Sequence, residues 1–153
     1  MLSIIAVSLL VSPQNAPAAP AVPTACSVLQ PQEVASIIGA AKPMTVTNSA
    51  TGSSCMFQNG NKIITVLLVN RDSNESAKGQ WDVTRMASAG KDVAGWTTPA
   101  YSAVIDTPKD HVAIVGIVKN RTFVEAKVLD VSQKSADLSA KLLAVMKALS
   151  GRL

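Results

Sequence analysis

The side chains best suited to chemistry in this 153-residue chain are two cysteines, Cys26 and Cys55, and a single histidine, His111. A cysteine that follows an apolar N-terminal stretch admits three chemistries: acylation as a lipid anchor, oxidation to a disulfide, or reaction as a thiolate. One histidine without any Cys-x-x-Cys spacing argues against zinc or copper, whose sites draw on three or four nitrogen and sulfur ligands. No metal and no other cofactor is expected. His111 closes the segment "IDTPKDH", with Asp106 and Asp110 nearby. Thr107 and Pro108 make that segment a turn between two strands rather than an oxygen-rich cation site. A hydrolase would have to centre on His111, and no G-x-S-x-G elbow accompanies it. The ten acidic residues offer no evident pair for glycosidic chemistry. No catalytic residue is assigned.

Binding chemistry is the alternative. The 14 basic residues follow one another singly from Lys42 to Arg152, and aromatic residues are only 3% of the chain. A nucleic-acid site wants a basic stripe or a stacking platform, so nucleic acid is not an expected partner. Trp81 falls on a predicted helix and reads as core. Trp96 lies in a Gly- and Thr-rich approach to a strand, with Tyr101 close behind it. Trp96 and Tyr101 are the candidate recognition surface.

Those residues need elements to hold them. "LQPQEVASIIGA" predicts a short helix, with Pro31 at its first position and Gly39 at its stop. A strand over 44–48 and a small-residue loop over 49–54 follow. "CMFQNGNKIITVLLVN" is a hairpin about Asn59-Gly60. Its second strand is apolar on both faces and should be central and covered on both sides. "SAKGQWDVTRMASA" predicts a middle helix with Ala77, Trp81, Thr84 and Ser88 on one side. "AYSAVID" and "TFVEAKVLD" alternate, and "HVAIVGIVK" is a buried run. In the last strand Phe123, Glu125 and Lys127 share a face that is partly solvated. Leu138, Leu142, Val145, Met146 and Leu149 recur at helical spacing in a long final helix that Ser132 or Ser135 can cap. The order is α-β-β-β-α-β-β-β-α around one mostly antiparallel sheet, an α+β fold.

The N-terminus reads differently. No charged side chain precedes Glu33, and "LSIIAVSLLV" is a ten-residue apolar run. That is half of the ~20 residues a spanning helix needs, so no transmembrane span is expected. It suits the h-region of a signal peptide, although no Lys or Arg precedes it. Residues 1–25 are therefore taken as signal peptide and Pro/Ala-rich leader, and 26–153 as one domain, exported to the periplasm or secreted.

Cys26-Ser27-Val28-Leu29, Glu33-Val34, Ile38-Gly39 and Cys55-Met56-Phe57, followed by "VAGWTTPAYSAVI" with Val93, Gly95, Ala100 and Tyr101, resemble a known pattern. It is that of small bacterial secreted or lipoprotein domains of unknown function, found among actinobacterial lipoproteins. The resemblance spans about residues 26–149. It implies a compact α+β domain of PsbP-like type and a disulfide between Cys26 and Cys55, and it carries no catalytic residues. Gln30 stands where a Ser or Thr cap is usual, and Thr97-Thr98-Pro99 replaces an acidic residue. The residues themselves leave the three cysteine readings open but unequal. Pro23 occupies the place where a lipobox has a large aliphatic residue. A lipidated Cys26 would strand Cys55 in an oxidising compartment, and no basic residue adjoins either thiol. The expected function is a non-enzymatic binding or accessory module for a protein, peptide or envelope component. The alternatives are an inhibitor or immunity-type protein presenting loop 49–54, and a hydrolase centred on His111.

Overall fold

A computed structural model describes residues 23–153. The expected signal peptide and most of the leader lie outside the described residues. The chain enters through α1 (Ala25–Val28) and α2 (Pro31–Ile38). Pro31 opens α2, and the Gln30 backbone N–H donates to Glu33 Oε2 at 2.8 Å, so the carboxylate half of a capping box forms without a Ser or Thr. Gly39 ends the helix at φ +84°, where a side chain would be strained.

Three strands follow: β1 (Pro43–Asn48), β2 (Gly52–Asn59) and β3 (Lys62–Asn70). Asn59 pairs with Lys62, so the hairpin turns on Gly60-Asn61, with Gly60 at φ +58°. Of the expected loop 49–54, residues 52–54 are strand and 49–51 remain a turn. Ser53 and Ser54 pair with Asn48 and Thr47, and a tight Ser49–Gly52 turn closes through two backbone–side-chain bonds of 2.8 and 3.1 Å. Small hydroxyl residues, read from sequence as loop formers, here serve as strand residues because both neighbours satisfy their backbone.

After α3 (Asn74–Ala87), capped by Ser73, come β4 (Lys91–Asp92), β5 (Ala100–Asp106), β6 (His111–Lys119) and β7 (Thr122–Asp130). α4 (Ser135–Arg152) completes the chain. The sheet order is β1-β2-β3-β7-β6-β5-β4, with every neighbouring pair antiparallel. Two meanders, β1–β3 and β4–β7, are thus joined along β3 and β7. The fold class is α+β as expected, with the short α1 and β4 added.

One face of the sheet is closed by α1, α2 and α4 over a core that includes Phe57, Ile64, Val66, Val115 and Leu142. Cys26 of α1 and Cys55 of β2 form a disulfide, Cα–Cα 5.0 Å, that fixes this layer to the sheet. Arg152 ties the ends of the same layer together. Its two terminal nitrogens sit 2.8 Å from the two Glu33 oxygens, and one also reaches the Val28 carbonyl at 3.3 Å. α3 covers the opposite face mainly over β6 and β7, with Trp81 reaching Tyr101 of β5, so Ile63, Leu67 and Val69 of β3 are half-buried there rather than fully covered. No described helix is long and apolar enough to cross a membrane.

The sheet has two distinct ends. The turn 60–61, the turn 107–110 and the start of α4 lie at one. The turn 49–51, the turn 120–121 and the end of α4 lie at the other, where Pro23, Thr122, Leu149 and Leu153 line a cleft of about 220 Å³. The described chain therefore enters and leaves the fold side by side.

Candidate functional site

A cavity of about 570 Å³ opens beside Trp96. Three segments build it: residues 95–99, residues 118–120 at the β6–β7 turn, and residues 147, 150 and 151 of α4. Gly95 at φ +77° bends the first segment, which is then pinned on either side of β5. Val93 N–H donates to the Ala100 carbonyl at 2.9 Å and Val118 N–H to the Pro99 carbonyl at 3.1 Å. Trp96 is half-buried, packed against the core beneath α4 while lining the cavity. Asn120, at φ +54°, turns the chain from β6 into β7 at the rim. Lys119 reaches across to α4 and donates from Nζ to the Ser150 carbonyl at 2.9 Å. This bond satisfies one of the carbonyls that a helix leaves open at its C-terminus. Lys147 is exposed on the last turns of α4. No acidic residue lines the cavity, whose size falls in the ordinary range for small-ligand sites.

Tyr101 is not beside Trp96 on a surface. It is fully buried, on the opposite face of the sheet, under α3. Alternation along β5 sends Ala100 toward α4 and Tyr101 toward α3. There its ring crosses β6 at Gly116, its partner in register, and its hydroxyl donates to Glu125 on β7. Glu125 is in turn the register partner of Gly116. The Trp81 ring meets Tyr101 edge-on at 5.8 Å, and Lys78 Nζ caps the Trp81 ring at 4.1 Å. Burial, reinforced by the bond to Glu125, pushes the Tyr101 hydroxyl far above its ordinary pKa. Desolvation raises Glu125 against the opposing pull of Tyr101 and Lys127. The sequence signal available for this arrangement was a glycine inside an otherwise bulky strand, which marks a close approach.

A second polar constellation crosses the far end of the sheet, and of it only the nearness of Asp106 to His111 was readable from spacing. Asp106, His111 and Asp130 are register partners on successive strands. Lys62 on β3 continues the row with Nζ 3.4 Å from Asp130 Oδ2, and Asn59 on β2 lies opposite Lys62. His111 Nδ1 is 2.6 Å from Asp106 Oδ1, and Ser135 Oγ donates to Asp106 Oδ2 at 2.6 Å. The Ser132 amide and hydroxyl both donate to Asp130 Oδ1, at 2.7 and 2.6 Å. These serines therefore do not cap α4, whose N-cap is Lys134; they donate to two aspartates and stabilise their charged form instead. The hydrogen bond from Ser135, then that from His111, holds Asp106 below its ordinary pKa. Burial works against the charge on Asp130, but Ser132 and Lys62 outweigh it and hold this carboxyl low as well.

The order of contacts decides what this row can do. A nucleophilic serine must donate to the histidine while the carboxylate holds the other ring nitrogen. Here Ser135 and His111 both address Asp106, and the aspartate stands in the middle. The carboxylate takes up the serine proton donor, so this geometry leaves Ser135 unactivated. No cluster of three or more His, Cys, Asp or Glu side chains suited to a metal occurs among the described residues.

No family model matches the chain, and no curated protein matches it. Among solved structures, a protein from Bacteroides thetaiotaomicron VPI-5482 aligns with 69% of this chain at 10% identity and a TM-score of 0.42. This chain spans 43% of that protein's length. The extracellular domain of PknH from Mycobacterium tuberculosis aligns with 80% of this chain and 92% of its own at 14% identity, also with a TM-score of 0.42. Neither likeness assigns a family, a ligand or a location.

Proposed function

We propose that the protein is an exported, non-enzymatic binding module whose ligand site is the cavity beside Trp96. The observation that carries this reading is the cavity itself. It joins a half-buried indole to hydroxyl, amide and ammonium groups from three separate elements, which is the mixture of apolar wall and convergent polar groups that ligand sites use. The Cys26–Cys55 disulfide supports export, since such bonds persist in oxidising compartments. Pairing both cysteines is also at odds with an acyl anchor on Cys26. The Asp-centred order of the polar row favours a structural over a hydrolytic role for His111. An inhibitor reading would rest on the shorter turn 49–51, since residues 52–54 are strand.

The test is a two-dimensional NMR spectrum of the indole N–H groups, assigned with a Trp96→Phe variant, recorded as soluble envelope extract of the native host is added. Trp96 should shift and broaden while Trp81, on the other face, stays fixed. An extract that leaves Trp96 unmoved would place the site elsewhere.

A further inference from the structure

We infer that the cavity takes an acidic sugar: a ring bearing hydroxyl groups and one carboxylate or phosphate, with the ring against Trp96 and the anion held by Lys119 and Lys147. This deepens the reading above and rests on it. Charge is the first ground. Two ammonium groups line the cavity and no carboxylate does. The five ion pairs among the described residues engage Lys62, Lys78, Arg85, His111 and Arg152, so neither cavity lysine is neutralised by one. Lys119 uses one of its three donors on the Ser150 carbonyl, which fixes its head in the cavity and leaves two donors to face a ligand. Lys147 serves no such capping bond and stands exposed at the mouth.

The remaining lining supplies the second ground. Thr97, Thr98 and Asn120 present both donors and acceptors, the complement of sugar hydroxyls, and Ser150, whose hydroxyl donates to the Lys147 carbonyl at 2.8 Å, adds an acceptor. Trp96 supplies a flat apolar wall of the kind that the C–H face of a sugar ring covers. A peptide anion would be served by the lysines alone. A neutral sugar would be served by the indole and hydroxyls alone. The combination fits a ligand that is both.

The intact exported protein is titrated with glucuronic acid, glucose 6-phosphate, glucose and inorganic phosphate, following the Trp96 indole resonance. Both acidic sugars, or the one whose anion the site prefers, should bind at least about tenfold tighter than glucose. That advantage should shrink as salt is raised, because exposed charges are screened. Lys147→Gln, at an exposed position that holds no element together, should cut the advantage at least about threefold and leave glucose unchanged. Lys119→Gln should cut it further, and unaltered circular dichroism would show that α4 survives the loss of its capping bond. Glucose binding as tightly as both acidic sugars would overturn the anion assignment while leaving the cavity as a ligand site. Inorganic phosphate binding as tightly as glucose 6-phosphate would overturn the sugar. Probes that all fail while envelope extract still moves Trp96 would overturn the ligand class alone. Failure of the extract as well would remove the site itself.

Discussion

Tyr101, expected at a surface, instead reaches within the sheet from β5 over Gly116 to Glu125. A methyl group at position 116 would overlap the Tyr101 ring. Gly116→Ala should therefore destabilise the fold by about 1–3 kcal/mol, the usual range for overpacking, read from the urea midpoint at constant slope. Glu125 gives a pH signature of defined sign. Its folded pKa lies above the unfolded value, so its contribution to stability is complete below the ordinary carboxylate range and declines as pH rises through the raised value. Glu125→Gln should equal or exceed the wild type in stability at pH 7 and lose that advantage toward pH 4. Asp130 works in the opposite direction. Its lowered pKa adds stability above the ordinary carboxylate range that is lost as pH falls through the lowered value. Asp130→Asn should thus flatten the acid limb of a stability–pH curve. The glycine inside "HVAIVGIVK" announced a close approach, but only strand register identifies Tyr101 as the group that approaches. The same holds for Asp130, which joins Asp106 and His111 through strand pairing, whereas those two face each other across the short turn 107–110.

Periodicity was a better guide to elements than to contacts. The hairpin about Gly60, the buried run of β6 and the amphipathic α4 follow from local pattern, because each satisfies its own hydrogen bonds or apolar stripe nearby. The pattern failed where partners are distant in sequence. Ser53 and Ser54 read as loop until β1 pairs with them, and β4 is two residues long, beneath the reach of any periodicity. β3 looked doubly covered because its residues are apolar on both sides, yet α3 packs over β6 and β7. The disulfide acts at this scale by joining α1 to β2 across 29 residues of sequence. By the chain-entropy model it contributes about 3.5 kcal/mol, so a Cys26→Ser, Cys55→Ser double variant should unfold at correspondingly lower denaturant. Equal midpoints for both proteins would show that this loop is already restrained in the unfolded chain.

At the scale of the molecule, the two meanders depend on one seam. β3 and β7 pair from Ile63 opposite Leu129 to Asn70 opposite Thr122, and β6 lies beside β7 under both helical layers. Hydrogen exchange should be slowest in β3, β6 and β7, with the edge strands β1 and β4 opening locally and exchanging at least about a hundredfold faster. Uniform protection across the sheet would mean that the meanders open only together. The side-by-side entry and exit of the chain at the Trp96 end has a practical corollary. The cavity, Pro23 and Leu153 share one end of the sheet, so an affinity tag or surface linkage joined directly at Pro23 or Leu153 sits close to the ligand mouth. A sensor chip carrying the protein by its tail would present the His111 end to solution and crowd the end where binding is sought. Immobilisation through a lysine near the turn 107–110 would reverse that orientation.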